Sequence, residues 1–142
     1  MMKKKDLSIW RFLLTHRNEI VSVEAISYAT KLSRRQIISR VPRMGSPYVI
    51  RQESKGGLDF ILQCDMSEAI DETVRLLTEY YGCSADEIRS VVDAVSPAGT
   101  MTIDDVQEVT GLSPSEVAYV LYMMPNITAY KSGTKNQYIM KV

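Results

Sequence analysis

Histidine is nearly absent from this chain of 142 residues: His16 stands alone, and the only cysteines are Cys64 and Cys83. These three side chains cannot complete a four-ligand cysteine–histidine zinc site. No apolar run approaches the length of a bilayer span, and the richest stretch, residues 9–14, is interrupted by Arg11. The basic start, with Lys3, Lys4 and Lys5, leads into neither a signal-peptide core nor a small-residue cleavage site. A chain without an export signal keeps its thiols reduced, and a cytoplasmic protein is expected. Phosphate-cradling glycine patterns are also missing; Gly56 and Gly57 read as a turn. His16 lies next to Arg17 at the end of a charged helix, where the helix dipole accounts for it. Asp104 and Asp105 fall in the first turn of a helix, where acids are expected on the same grounds. No catalytic arrangement, metal site or cofactor is expected, and the chain does not read as an enzyme.

Net charge is zero, but its distribution is not. Residues 1–63 hold twelve basic and five acidic side chains, a net +7; residues 64–142 hold five basic and twelve acidic ones, a net −7. Such a split implies a polyanionic partner for the first part and a protein partner for the second, unless it only reflects two differently solvated surfaces.

The chain also repeats itself at an offset of 80 residues. Ser22, Val23 and Glu24 lie over Thr102, Ile103 and Asp104. Thr30, Leu32, Ser33, Ile37 and Val41 lie over Thr110, Leu112, Ser113, Val117 and Leu121. After a shortening by two residues, Pro47, Val49, Ser54, Phe60 and Ile61 match Pro125, Ile127, Ser132, Tyr138 and Ile139. Apolar positions, caps and turn residues agree together, which isolated identities would not.

Each copy predicts the same elements. In the first, residues 7–15 form an apolar-rich helix, and Ile20 and Val21 a short extended piece. Ser22 caps a helix over 23–30. Lys31, Leu32 and Ser33 break it, and Ser33 with Gln36 forms a capping box for a third helix. Pro42 should end or kink that helix. Residues 48–51 and 58–62 alternate in polarity around Gly56 and Gly57 and read as a hairpin. In the second copy the helices are 85–94, one boxed by Thr102 and Asp105, and one boxed by Ser113 and Glu116 with Pro114 at its first position. Gly111 fills the turn, and residues 127–130 and 137–141 form the hairpin. Between the copies, 67–81 reads as a helix with Ile70, Val74, Leu77 and Tyr81 on one stripe.

The segments from Ala29 to Arg35 and from Val109 to Ser115 resemble the turn and recognition-helix start of the winged helix-turn-helix superfamily. The resemblance implies a mainly α fold with small β-hairpin wings (α+β), two winged helix-turn-helix modules in tandem joined by a helix. The boundaries are a basic module over 1–63, a linker helix over 64–82 and an acidic module over 83–142. The family includes many repressors and also modules that bind only protein, so the surface must decide the function.

Stepping about 100° per residue along the third helix puts Ile37, Val41 and Met44 on one face, toward the core. The opposite face carries Arg35, Gln36, Ser39 and Arg43, side chains suited to base edges in a major groove. Arg34 and Arg40 on its flanks, with Arg51 and Lys55 on the wing, suit phosphates. The equivalent face of the second copy has no lysine or arginine. Glu116, Tyr119 and Met123, with Tyr122 beside them, suit protein contact, or else pack on the linker helix within the chain. The stripe on the linker helix either joins the modules or forms a homodimer, which would set two basic helices about one DNA turn apart.

Sequence-specific binding of duplex DNA by the first module follows as the expected function, in a prokaryotic transcriptional regulator. The alternative is a tandem winged-helix scaffold of a chromosome-structuring or transcription-machinery complex, its basic face meeting an acidic protein. A small-molecule sensor using a cleft between modules has no sequence support.

Overall fold

The computed structural model describes residues 2–44, 48–54, 56–95, 101–102, 112–132 and 135–140, with backbone alone for 54, 94, 101–102, 128–132 and 135–140. The fold is α+β: helices predominate, and each of two compact units, Met1–Glu72 and Thr73–Val142, carries one small antiparallel sheet.

In the first unit, helix α1 (Lys4–Thr15) begins earlier than its apolar pattern predicts, because Asp6 accepts a hydrogen bond from the Lys3 amide at 2.8 Å and closes the first turn. It ends at His16, whose ring faces Glu19 at 3.1 Å. Strand β1 (Ile20–Ser22) runs straight into α2 (Val23–Thr30), where the Ser22 hydroxyl accepts from the Ala25 amide. Lys31 adopts a left-handed conformation, φ 61°, and stops α2. Helix α3 (Arg34–Arg40) follows and passes into a 3₁₀ turn, Val41–Arg43, with Pro42 in it. The proline can supply no amide for an α-helical bond, so the helix ends where the sequence predicts.

Strands β2 (Val49–Ser54) and β3 (Gly57–Leu62) complete the sheet in the order β1-β3-β2. Both are longer than their polarity pattern predicts, since pairing continues to Ser54 opposite Gly57. Gly57 is thus a strand residue, and its φ of +148° is one that side-chain-bearing residues rarely take. Along β3, Leu58, Phe60 and Leu62 are buried, alternating with half-buried neighbours. They meet Leu7, Trp10, Leu13 and Leu14 of α1, Val23 and Ile26 of α2, and Ile37, Val41 and Met44 in one buried core.

Helix α4 (Met66–Tyr81) spans the division between the units. Val74 and Leu77 are buried within the single chain, and Ile70 and Tyr81 half-buried. The stripe, expected either to join the modules or to form a homodimer, is largely covered within the single chain, where α4 also buries Ala69, Thr73 and Leu76.

The second unit repeats the first. It contains α5 (Ala85–Val95), β4 (Met101–Thr102), α6 (Pro114–Met123), β5 (Ile127–Ser132) and β6 (Lys135–Met140). Its sheet runs β4-β6-β5, and the register repeats too: Phe60 lies between Val21 and Arg51, as Tyr138 lies between Met101 and Ala129. Hairpin strands are offset by 78 residues, as the shortened repeat requires. The helix boxed by Thr102 and Asp105, with Asp104, Glu108 and Gly111, lies outside the described residues. Among the described residues no helix is long and apolar enough to cross a membrane.

Candidate nucleic-acid interface

The outward face of α3 is set by its cap. Ser33 accepts from the Gln36 amide at 3.2 Å, and the Gln36 side-chain oxygen accepts from the Ser33 amide at 2.9 Å. The box forms as predicted, but it uses Gln36. With its oxygen folded back on its own helix start, Gln36 would have to break the box to make a bidentate contact with adenine, which speaks against its expected place among the base contacts.

Arg40 also differs from expectation. Its Nη1 reaches the Oδ1 of Asp6 at 3.2 Å, with Asp6 fully buried and Arg40 only 15% exposed. A buried carboxylate needs a cation, and Arg40 supplies it, tying α3 to the start of α1 instead of facing phosphate. The helical wheel could not show this, because the partner lies 34 residues away in sequence.

Arg34 pairs with Glu24 at 3.1 Å, both well exposed. Such a pair is worth roughly 0–1 kcal/mol and gives way to a phosphate at little cost. Arg51 is exposed on β2 with Glu53 at 3.6 Å. Its position opposite Phe60 puts it on the side of the sheet that faces α3. Lys55 lies outside the described residues. Arg35 and Arg43 are exposed and, among the described residues, have no carboxylate partner; Ser39 is exposed and donates to the Gln36 carbonyl.

One residue on this face escaped the sequence reading. Ile38 is half-buried and lines two depressions at once. One is shallow, formed by Arg34, Arg35, Ile38 and Ser39 of α3 alone. The other, about 290 Å³, lies between the end of α3 and the hairpin, lined by Val41, Pro42, Met44, Val49, Arg51 and Phe60. Being apolar, Ile38 was outside a search for polar base readers. Tyr28, 89% exposed on α2, was also passed over, since it lies outside the third helix.

The matching face of α6 is different. Ser113 caps it through the Glu116 amide, and the Ser113 hydroxyl donates to the Glu116 carboxylate at 2.7 Å. Glu116 is half-buried there, its carboxylate on the Ser113 hydroxyl and not on the Ser113 amide that a capping box would use. Tyr119 packs among Tyr80, Tyr81 and Tyr122, with ring centroids 6.1, 6.5 and 6.2 Å away. Burial first, and the neighbouring phenols after it, push the Tyr119 hydroxyl up to about 12. Tyr119 thus packs on α4 within its own unit, one of the two alternatives open from sequence. Tyr122 stays exposed. Met123 is fully buried, contrary to its expected outward place. No proline interrupts α6, so Met123 falls one turn beyond Val120 on the core side. For Lys131 and Lys135 only the backbone is described.

No protein-family model matches the chain, and no curated protein does. Among solved structures it is similar to the crystal structure of the DIP2311 protein from Corynebacterium diphtheriae, at 14% identity and a TM-score of 0.34. That alignment covers 95% of this chain but only 26% of the other, so the chain spans about a quarter of its length.

Proposed function

We propose that the chain is a pair of winged helix-turn-helix modules joined by a helix, whose first module binds duplex DNA as a sequence-specific transcriptional regulator of the prokaryotic kind. The observation that carries this reading is the pair Arg35, exposed on the capped third helix, and Arg43, exposed in the 3₁₀ turn that follows it, two guanidinium groups without carboxylate partners among the described residues. Arg34 and Arg51 add charge on either side, within a part of the chain whose net charge is +7. Arginines in such a place serve bidentate guanine recognition and phosphate contact. The base-facing set is Arg35, Ser39 and Arg43, and the phosphate-facing set Arg34, Arg51 and Lys55.

Affinity for duplex DNA measured against salt concentration tests the reading. Engagement of about three phosphates gives a log–log slope near −3, and Arg35→Ala with Arg43→Ala abolishes sequence preference while leaving that slope nearly unchanged. An affinity unchanged in the double variant rejects it.

A second reading, a protein-binding scaffold, is favoured by a different surface. Ile20, Ile61 and Ile50 lie opposite one another across the outer face of the first sheet, with Ile20 63% and Ile50 44% exposed. An apolar row of this kind suits a protein contact. Binding to DNA that is weak and insensitive to salt would favour this scaffold over the regulator.

A further inference from the structure

Packing accounts for only part of Ile38, which is half-buried at the edge of the depression between α3 and the hairpin, beside Val41, Pro42, Met44, Val49 and Phe60. Ile37 beside it is fully buried and does the work of holding α3 on the body of the unit. The rest of the Ile38 side chain borders the shallow depression that it forms with Arg34, Arg35 and Ser39 on α3. Among guanidinium groups an aliphatic side chain gains nothing from facing water. It gains when an apolar group covers it. On the major-groove edges of DNA the one apolar group is the 5-methyl of thymine, which aliphatic side chains contact.

The spacing agrees. Arg35 and Ile38 are three residues apart on one helix, so they share a face and are separated by about 4.5 Å along its axis. Successive base pairs are about 3.4 Å apart, close enough for the two side chains to meet neighbouring steps. We infer that Ile38 reads a thymine methyl group in the major groove, next to a guanine read by Arg35. This rests on the DNA-binding reading above and narrows it to a site with thymine and guanine at adjacent positions.

The test starts from a duplex pool with a randomised centre, selected on the intact protein at low salt. Each thymine of the enriched duplex is then replaced in turn by deoxyuridine, which removes only the methyl group. One replacement weakens binding about fourfold, the factor that burying one methyl-sized group contributes. Ile38→Ala binds the thymine and deoxyuridine duplexes equally, and Ile38→Val keeps part of the difference; circular dichroism verifies that both variants fold. If no thymine replacement changes the affinity of the wild-type protein while Arg35→Ala still loses sequence preference, the role of Ile38 is wrong and DNA reading stands. A pool that yields no enriched sequence overturns both.

Discussion

The side chain of Arg40 runs inward from the third helix to Asp6, so that the only carboxylate in the first helix is held by a guanidinium from the helix proposed to enter the groove. Asp6 accepts in addition from the Lys3 amide, while the Arg40 Nε is buried without a hydrogen-bond partner among the described residues. The pair fixes the angle of α3 against α1, and its two halves depend on each other. Asp6→Ala should lower stability by about 3 kcal/mol, since it strands a largely buried guanidinium. Joint replacement, Asp6→Leu with Arg40→Met, should cost much less than the sum of the single changes. Urea denaturation of the four proteins measures this, and strict additivity would show that the contact carries no coupling.

Gln36 should matter for stability and not for base preference. Ser33→Ala and Gln36→Ala each remove part of the capping box, at about 1 kcal/mol for Ser33 and somewhat less for Gln36. The duplex sequence selected by Gln36→Ala should match that of the wild type. A changed preference would return Gln36 to the list of base readers.

Lys31 holds a left-handed backbone, φ 61°, where the second copy has Gly111 at the equivalent position of the repeat. Side-chain-bearing residues pay for this conformation and glycine does not. Lys31→Gly should therefore raise stability by about 0.5–1 kcal/mol, read as a higher thermal midpoint. A lower midpoint would mean that the lysine side chain contributes more to the folded state than its conformation costs.

The tyrosine cluster makes the second unit sensitive to alkali. Tyr119 and Tyr81 both have hydroxyls raised to about 12, chiefly by burial, whereas an unfolded tyrosine ionises near 10. A raised folded value means that the unfolded chain releases protons first. The contribution of these groups is complete below pH 10 and is lost as pH climbs through about 12. Phenolate absorbance should rise late for these two rings, and Tyr119→Phe should flatten the loss of stability above pH 10. Ionisation of all eight tyrosines at the ordinary value would contradict the packing.

Both thiols should react slowly. Burial raises Cys64 and Cys83 above their ordinary range, Cys64 despite the nearby Arg17, so little thiolate is present at neutral pH. Labelling by a thiol reagent at neutral pH should accelerate sharply on addition of denaturant; rapid labelling of the native protein would place the sulfurs in a more open environment.

Local structure was legible in the residues because it depends on near neighbours. Ser22, Ser33 and Ser113 cap the helices they were expected to cap, and Pro42 ends the helix it was expected to end. The burial of Ile37, Val41 and Met44 followed from helical spacing, and the repeat recurs in strand order and register. Extra length in the hairpin strands was hidden because cross-strand pairing continues past the point where polarity stops alternating.

What the tertiary structure alone decided is which outward-looking side chains have a partner among the described residues. Arg40, Gln36, Arg35 and Arg43 look alike on a helical wheel, yet one is claimed by a carboxylate from a distant helix, one by its own helix start, and two by neither. Met123 is likewise buried by the unbroken course of α6, and of the two roles the sequence left open for Tyr119 the structure shows packing against the rings of α4. Periodicity reports the direction in which a side chain leaves its own backbone. Its partner is set by where the rest of the chain returns, and that is a property of the folded unit.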